Sequence, residues 1–314
     1  MEVIEISHQS IPALVPSACC VGYFDGLHKG HQLLLDKTLE TAEKHGLASG
    51  VILFDPDPWT IFHPEQELDY LTPLPKRLEM IGQKGFDLIY ILRFTKEFAA
   101  LPVEAFHDVL VQMHVRYLIC GTEFKYACRN AGSIETLKND HRLHAVPVDL
   151  YMEDPSHKIS SSTIEEYVLE GKIALANELL GYMYSLDGTI EKGYQRGGRL
   201  LGFPTANLRV APDVIVPAAG VYAGYVKIGD RYHMAMINVG SNPTFNNTKR
   251  TIEAHILDFD QDIYGEKVRF LFAQYIRGEQ KFPSVQALKE QLHRDIMSTR
   301  SILSKNSVKD WCFS

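Results

Sequence analysis

Residues 18–31 read ACCVGYFDGLHKGH and decide the fold of the first half of the chain. They begin with the apolar run Ala18–Tyr23, which is typical of a buried strand, and pass through a glycine-rich turn. The next segment, Gln32–Lys44, has apolar residues at helical spacing, and Gly46 is expected to end that helix. A strand followed at once by a helix is the opening unit of a doubly wound sheet.

The same alternation of strand and helix continues for about a hundred residues. Helical patterns separate the apolar runs, at Leu74–Lys84 and Val103–Met113, and the strand-like runs are Val51–Phe54, Leu88–Phe94 and Val115–Cys120. We therefore predict an α/β, doubly wound, Rossmann-like domain with a parallel sheet. Such sheets bind their ligands at the carboxyl ends of the strands.

The second half has the pattern of an antiparallel sheet. Gly229-Asp230 lies between the apolar runs Ala223–Ile228 and Tyr232–Asn238, which predicts a hairpin. Two further strands are expected, Thr251–Phe259, which alternates between apolar and other residues from Ile252 to Leu257, and Lys267–Ile276. The helix expected here is Ser284–Leu303, with its apolar face at Val285, Leu288, Leu292 and Ile296. These features predict a small antiparallel β-barrel with a C-terminal helix.

The join between the halves is predicted in residues 160–183. Ser162 and Glu165 fit a capping box that opens a helix ending at Leu169. Ala174–Leu180 is a second short helix, which Gly181 ends. We therefore expect one domain at residues 1–181 and a second at residues 182–314.

Composition excludes several classes of protein. The 314 residues are 45% hydrophobic and 23% charged, which argues against disorder. A net charge of −7 argues against a nucleic-acid partner, although a local anion site needs only a few donors. Five cysteines without paired metal-ligand spacing indicate reduced thiols and a cytoplasmic location. The acidic start is not a secretory signal, the uncharged run Ile6–Phe24 is broken by prolines and so is no membrane helix, and no obligate protein partner is expected.

His28-Lys29-Gly30-His31 places two imidazoles at the start of a helix. Helix N-termini attract anions, and Gly30 lets a phosphate approach the backbone. Two imidazoles beside a helix dipole suit the charge that builds on a phosphate under attack. The alternative is a turn with surface histidines. The chain has no P-loop sequence, so phosphoryl chemistry cannot rest on that motif.

The segment resembles the signature of the HxGH nucleotidyltransferases, and in detail the adenylyltransferase half of the prokaryotic bifunctional riboflavin kinase/FMN adenylyltransferase (FAD synthetase) family. The resemblance extends through residues 54–58 (FDPDP), Leu71-Thr72, residues 121–132 and residues 159–165. It implies that His28 and His31 are catalytic. It also implies a set of nucleotide-binding residues: Gly22, Phe24, Asp25, Gly30, Ser160 and Ser161.

Residues 198–207, GRLLGFPTAN, resemble the flavokinase signature of the same family. The resemblance implies that side-chain oxygens of Thr205 and Asn207 bind Mg²⁺ and the ATP phosphates, which suits a hard cation. It adds Gly198, Arg199, Gly202 and Pro204 to the nucleotide-binding residues. Taken alone, Pro-Thr-Ala-Asn is also typical of a hydrogen-bonded turn.

The same resemblance implies that Glu253 is the catalytic base of the second half. A strand glutamate at this place in the family accepts the proton of the ribityl 5′-hydroxyl, the role that a kinase acting on an alcohol requires. The alternative is an exposed strand glutamate. His255 lies on the same face and is expected to line the site or lie at the surface. Phe203, Tyr222 and Phe245 are candidates either for the flavin pocket or for core packing.

The first half departs from the family's motifs at several positions. Tyr23 stands where the family usually has Asn, Asp57 replaces His, and residues 121–127 read GTEFKYA instead of Gly-x-Asp-Phe-Arg-Phe-Gly. Glu165 replaces an arginine that the resemblance assigns to the ATP phosphates, and so reverses the charge there. Lys125 and Arg129 are candidates to supply positive charge instead.

Taken together, the resemblance implies two reactions. Riboflavin and ATP give FMN and ADP in the second half, and FMN and a second ATP give FAD and pyrophosphate in the first, with Mg²⁺ as the metal. The departures motivate one alternative, a kinase-only enzyme with a degenerate first domain. A second alternative is a flavin- or nucleotide-binding regulator without catalysis.

Overall fold

The computed structural model describes residues 1–149, 159–192, 203–240 and 250–305, with Val308 and Phe313. Within these ranges the chain forms two compact units. The first comprises residues 1–68 and 72–160, and the second comprises residues 69–71 and 161–313. In the described part of the chain, every helix is too short or too polar to span a bilayer.

The first unit contains a six-stranded parallel sheet with strand order β1-β4-β3-β2-β5-β6, which confirms the predicted fold class. The strands are β1 Glu2–Ile6, β2 Ser17–Val21, β3 Ala48–Asp55, β4 Leu88–Arg93, β5 Val115–Gly121 and β6 His144–Val148. The helices are α1 Lys29–His45, α2 Pro58–Phe62, α3 Leu74–Gln83, α4 Lys96–Ala99, α5 Val103–Gln112 and α6 Ile134–Lys138.

The central strand β2 determines where a ligand can bind. All five of its residues are buried between β3 and β5, as expected for a parallel strand covered on both faces. The order of the strands reverses beside β2, because β3 and β4 lie on one side of it and β5 and β6 on the other. Ligand crevices form at such a switch point, at the carboxyl ends of the strands. The turn that carries His28 and His31 follows β2 directly.

Helix α1 begins earlier than its apolar spacing predicts. The predicted start was Gln32, whereas the helix begins at Lys29 with His28 as its N-cap. The end agrees with the prediction, because Gly46 takes a left-handed conformation with φ of 63° and its N–H closes the last turn.

Helices α7 Ser161–Leu169 and α8 Ile173–Leu180 connect the two sequence halves and group with the second unit. Helix α7 begins at Ser161, so Ser162 lies inside its first turn and the predicted cap at Ser162 is wrong. Gly181 ends α8 in the left-handed region, as predicted. The domain boundary at Gly181–Tyr182 stays a prediction.

The second unit contains a closed antiparallel barrel of six strands, ordered β10-β11-β8-β7-β12-β9, as predicted. The strands are β7 Ser185–Glu191, β8 Ala206–Val210, β9 Gly220–Ile228, β10 Arg231–Gly240, β11 Thr251–Ile256 and β12 Lys267–Arg277. The alternation in β11 is confirmed, since Ile252, Ala254 and Ile256 are buried and Glu253 and His255 are less so. Strands β9 and β12 pack closely at Gly224, where an added Cβ would lie 2.1 Å from the Leu271 carbonyl oxygen.

The C-terminal helix α9, Val285–Leu303, begins at the N-cap Ser284, whose hydroxyl accepts a hydrogen bond from the Ala287 N–H. Its predicted apolar face is only partly correct. Val285 is 60% exposed, whereas the fully buried positions of the helix are Asp295, Thr299 and Leu303. Asp295 is buried because its carboxylate pairs with the guanidinium of Arg277 on β12, with an Nη2–Oδ2 distance of 2.7 Å.

Candidate active sites

The first candidate site lies where β2 passes into α1. The side chain of His28 caps α1, because its Nδ1 accepts a hydrogen bond from the His31 N–H at 3.3 Å. The neutral imidazole of His28 therefore carries its proton on Nε2. The two imidazoles stack with ring centroids 3.6 Å apart, and the edge of Phe24 packs against His31 at 5.1 Å. Gly30 leaves room for the His28 ring, since a Cβ at this position would lie 3.2 Å from it.

Both imidazoles are neutral at physiological pH. Burial lowers the pKa of His28 to about 4. Burial holds the pKa of His31 well below its ordinary value, followed by repulsion from His28 in its protonated form and from the guanidinium of Arg77. Among the described residues, Nδ1 of His31 is buried without a hydrogen-bond partner, so it is available to a ligand atom. The pair can offer neutral hydrogen-bonding groups to a phosphate at the N-terminus of α1.

Arg77 of helix α3, and Thr72 just before that helix, form hydrogen bonds with this turn. The buried guanidinium of Arg77 donates through Nη1 to the Tyr23 carbonyl oxygen and through Nη2 to the Tyr23 hydroxyl, and lies 4.1 Å from the centroid of that ring. Thr72 donates its N–H to the Asp25 carboxylate at 2.8 Å, and its hydroxyl accepts from the Gly26 N–H at 2.7 Å. Tyr23, a departure from the family's motif, is thus a partner of Arg77. The sequence analysis did not identify Arg77. The one signal that could have found it is its position shortly after the matched pair Leu71-Thr72.

An aromatic cavity of about 590 Å³ opens near the ends of β3 and β4. Its apolar walls include Phe54, Phe62, Phe94, Phe98, Phe106, Phe124 and Tyr126, and three cations line it, Lys96, Lys125 and Arg129. The sequence reasoning proposed Lys125 and Arg129 as a source of positive charge but did not find the cavity. Its residues come from separate strands, helices and loops, so no spacing within one segment predicts the cavity.

The other departures also have structural positions. Asp57 is the N-cap of α2, where its carboxylate accepts the Trp59 N–H at 2.7 Å. Glu165 is an exposed residue of α7, and Ser160 and Ser161 lie at the start of that helix. The roles implied for Ser160 and Ser161 stay predictions.

Ala127, at the rim of the aromatic cavity, has a backbone conformation that favours glycine, with φ of 61° and ψ of −177°. We expect Ala127→Gly to raise the free energy of unfolding by about 1 kcal/mol, because strain of this kind costs about 1–3 kcal/mol and glycine's extra chain entropy offsets part of the gain. Urea unfolding followed by tryptophan fluorescence, to which Trp59 of the same unit contributes, measures it. Ala131→Gly is the control, since Ala131 has φ of −70° and should only lose stability. Equal losses in both variants would contradict the expectation.

The second candidate site lies on the barrel. The Thr205 hydroxyl donates to Glu253 Oε2 at 3.2 Å. Asn207 of β8 is the register partner of Glu253 on β11, and Glu253 is also paired with Asn238 on β10. Register partners on antiparallel strands share one face of the sheet, so the three predicted residues Thr205, Asn207 and Glu253 lie together.

Two cavities meet at Thr205. The first, of about 260 Å³, is lined by Thr205, Glu253, Asn238, Arg277 and the apolar residues Phe203, Phe282, Leu288 and Leu292. The second, of about 340 Å³, is lined by Pro204, Thr205 and the segment 259–264, which includes Asp260, Asp262 and Tyr264. Leu288 and Leu292 of the predicted apolar face of α9 thus face a cavity rather than the core.

The remaining barrel residues singled out in the sequence lie in a cavity, in the core or outside the described residues. Phe203 and His255 both line the first barrel cavity, and Nδ1 of His255 donates to the Pro204 carbonyl oxygen at 2.9 Å. Tyr222 is fully buried, and its hydroxyl donates to the Ala218 carbonyl oxygen, so it is a core residue. Gly198, Arg199, Gly202 and Phe245 lie outside the described residues.

Comparison with known proteins covers both units. A family model described as FAD synthetase matches residues 11–163, and one described as riboflavin kinase matches residues 180–303. A relative from Listeria monocytogenes, named bifunctional riboflavin kinase/FMN adenylyltransferase, is 38% identical over 91% of this chain and 92% of its own. The chain belongs to this bifunctional family. The family resemblance drawn from the motifs is thereby confirmed.

Other members of the family give the same result. Relatives of that name from Bacillus subtilis and Escherichia coli are 33% and 32% identical, each over 89% of this chain and 90% of their own. A crystal structure from Streptococcus pneumoniae, described as a macrolide-efflux protein, superposes with a TM-score of 0.87 at 33% identity and covers 95% of this chain and 98% of its own. Both domain types of the bifunctional family are therefore present, and the kinase-only and regulator alternatives are not favoured.

Proposed function

We propose that the barrel unit transfers the γ-phosphoryl group of ATP to riboflavin and that the α/β unit transfers AMP from a second ATP to the FMN so formed. The observation that carries the proposal is the grouping of three residues: Thr205 lines both barrel cavities and bonds Glu253, and Asn207 is the register partner of Glu253. The substrates are small molecules. Buried free thiols at Cys19, Cys20 and Cys120, together with the use of ATP, favour a cytoplasmic location.

In the barrel unit, the cavity that contains Glu253 suits the flavin. Phe203, Phe282, Leu288 and Leu292 offer apolar surface to a flat ring system, and Glu253 lines the same cavity. Glu253 accepts the proton of the terminal ribityl hydroxyl, whose oxygen attacks the γ-phosphorus of ATP. The bond between that phosphorus and the β–γ bridging oxygen breaks, and ADP leaves. The second cavity, on the other side of Thr205, takes the nucleotide.

The donor set at this site fits Mg²⁺. Thr205 and Asn207 supply neutral side-chain oxygens, which suit a hard cation that keeps several waters and also binds phosphate oxygens. When bound, Mg²⁺ neutralises charge on the ATP phosphates. Thr205 and Asn207 would hold it, while the Thr205–Glu253 hydrogen bond keeps the glutamate beside the attacking hydroxyl.

In the α/β unit, the stacked His28 and His31 with the N-terminus of α1 hold the ATP phosphates. The aromatic cavity takes the isoalloxazine ring of FMN, and Lys96, Lys125 and Arg129 face its phosphate. A phosphate oxygen of FMN attacks the α-phosphorus of ATP, the bond to the β-phosphate breaks, and pyrophosphate leaves. The imidazoles stabilise the charge that develops on the phosphoryl oxygens.

Conversion of the two substrates tests the proposal directly. The purified chain, supplied with riboflavin, ATP and Mg²⁺, should form FMN and then FAD; supplied with FMN instead, it should form FAD and pyrophosphate in equal amounts. Chromatography measures FMN and FAD, and a coupled pyrophosphatase–phosphate assay measures pyrophosphate. FMN without FAD would leave the kinase-only alternative, and neither product would leave the non-catalytic regulator.

A further inference from the structure

A buried chain of hydrogen bonds lies behind one wall of the aromatic cavity. His107 on α5 is 3% exposed, and its Nδ1 lies 2.9 Å from Asp140 Oδ2. Its Nε2 lies 2.6 Å from the hydroxyl of Tyr126, which is 6% exposed. A carboxylate, an imidazole and a phenol are thus linked in a line, and the phenol oxygen of Tyr126 also lies 2.7 Å from the Thr136 hydroxyl. None of them takes part in the mechanism described above, apart from the ring of Tyr126 in the cavity wall.

The direction of these hydrogen bonds follows from the charge on Asp140. A hydrogen bond from Arg142 holds the pKa of Asp140 far below its ordinary value, so the carboxylate is an acceptor. Nδ1 of His107 therefore donates to Asp140. In neutral His107, Nε2 then accepts from the Tyr126 hydroxyl. Linked bonds of this kind fix the orientation of every member.

The ring of Tyr126 is held on its other sides by the cavity itself. Its centroid lies 4.7 Å from that of Phe106 and 5.3 Å from that of Phe124, and both of these rings line the cavity. Tyr126 also stands between Lys125 and the strained turn that carries Arg129, whose φ is 54°. The position of one ring thus sets the shape of the aromatic wall and the start of the cation-bearing turn.

We propose that His107 and Asp140 are positioning residues that hold Tyr126 in place and thereby determine the affinity of the first unit for FMN. The proposal rests on the function proposed for this cavity. The tyrosine is where the family's motif has phenylalanine, so the hydroxyl and its imidazole partner form an added anchor. A wall fixed before the ligand arrives lowers the entropy that binding must remove.

Variants of the anchor separate positioning from stability. Tyr126→Phe keeps the ring and removes the hydroxyl, and His107→Leu removes the imidazole. Each should raise the KM for FMN in FAD formation by about 5- to 30-fold, equivalent to about 1–2 kcal/mol, because the ring is then ordered only when FMN binds. The kcat at saturating FMN, the KM for ATP and the rate of riboflavin phosphorylation should each change less than about twofold.

The double variant Tyr126→Phe/His107→Leu distinguishes positioning of the ring from a purely structural role, because it separates the melting temperature from the KM for FMN. Tyr126→Phe leaves the buried Nε2 of His107 unpaired, and the double variant removes that atom while Thr136 keeps its bonds to Ser133 and Asp140 its bond to Arg142. The double variant should therefore recover most of the melting temperature that Tyr126→Phe loses. If the anchor positions the ring, the KM for FMN stays raised in the double variant. Tyr117→Phe is the matched control, because it removes a tyrosine–histidine hydrogen bond of 3.2 Å, to His45, outside the cavity.

The outcomes separate this proposal from the function on which it rests. If the wild type forms FAD and the single variants keep their KM for FMN, or if KM follows the melting temperature back to normal in the double variant, the positioning role is overturned and the cavity's function stands. If the wild type forms no FAD from FMN and ATP, the function of the cavity and the positioning role fall together.

Discussion

Replacement of Glu253 by glutamine should lower the kcat of riboflavin phosphorylation by about 10²–10⁴-fold, the range expected when a general base is lost. Glutamine has nearly the same shape, and its amide oxygen can still accept the Thr205 hydroxyl that bonds Glu253 at 3.2 Å. The site therefore keeps its geometry and loses only the proton acceptor. The KM for riboflavin should change little, because the apolar residues of that cavity are untouched.

FAD formation by the Glu253→Gln variant tests whether the effect is confined to the kinase reaction. FAD formation from supplied FMN depends on the first unit and should proceed at the wild-type rate in Glu253→Gln. Glu290→Gln, at an exposed position of α9, is the matched substitution and should leave both reactions unchanged. Steady-state assays of FMN and FAD formation measure all four rates. A Glu253→Gln enzyme that phosphorylates riboflavin within tenfold of the wild-type rate would exclude Glu253 as the base.

Glu253 also illustrates which features can be predicted from the sequence. Its strand alternates cleanly, so the burial of Ile252, Ala254 and Ile256 and the outward face of Glu253 follow from period two. The long apolar runs at the centre of the parallel sheet predict buried strands equally clearly. The edge strands β1 and β6 gave no such signal, because their residues are mostly exposed or half-buried and β1 includes two glutamates.

The features that the sequence does not predict depend on contacts between segments that are far apart in the chain. Arg77 reaches back to Tyr23, and Asp295 is buried in a helix because Arg277 meets it from a strand. A charged residue in a helical pattern is ordinarily solvent-exposed, so burial of Asp295 cannot be inferred without its partner. The aromatic cavity has the same origin, since its walls come from segments between Phe54 and Asn130 that only the fold brings together.

Substitution of His28 by asparagine should lower the kcat of FAD formation by about 10²–10³-fold, the loss typical of one group that stabilises developing charge. Asparagine is a good N-cap, so the variant keeps the bond to the His31 N–H that Nδ1 of His28 now accepts. His28→Ala, by contrast, removes the cap as well and should also lower the melting temperature. The difference between the two variants separates the helix-capping role of His28 from its chemistry.

Riboflavin phosphorylation should be normal in both variants, and His45→Asn at the other end of the same helix should affect neither reaction. The pH dependence supplies an independent check. Because burial lowers the pKa of His28 to about 4 from an ordinary value of 6.5, the unfolded chain binds a proton more readily than the folded one between these values. The wild type should therefore lose stability as the pH falls from 6.5 towards 4, and His28→Asn should show a shallower loss. FAD formation by His28→Asn at nearly the wild-type rate would mean that the imidazole serves α1 as a cap and contributes nothing to the transfer of AMP.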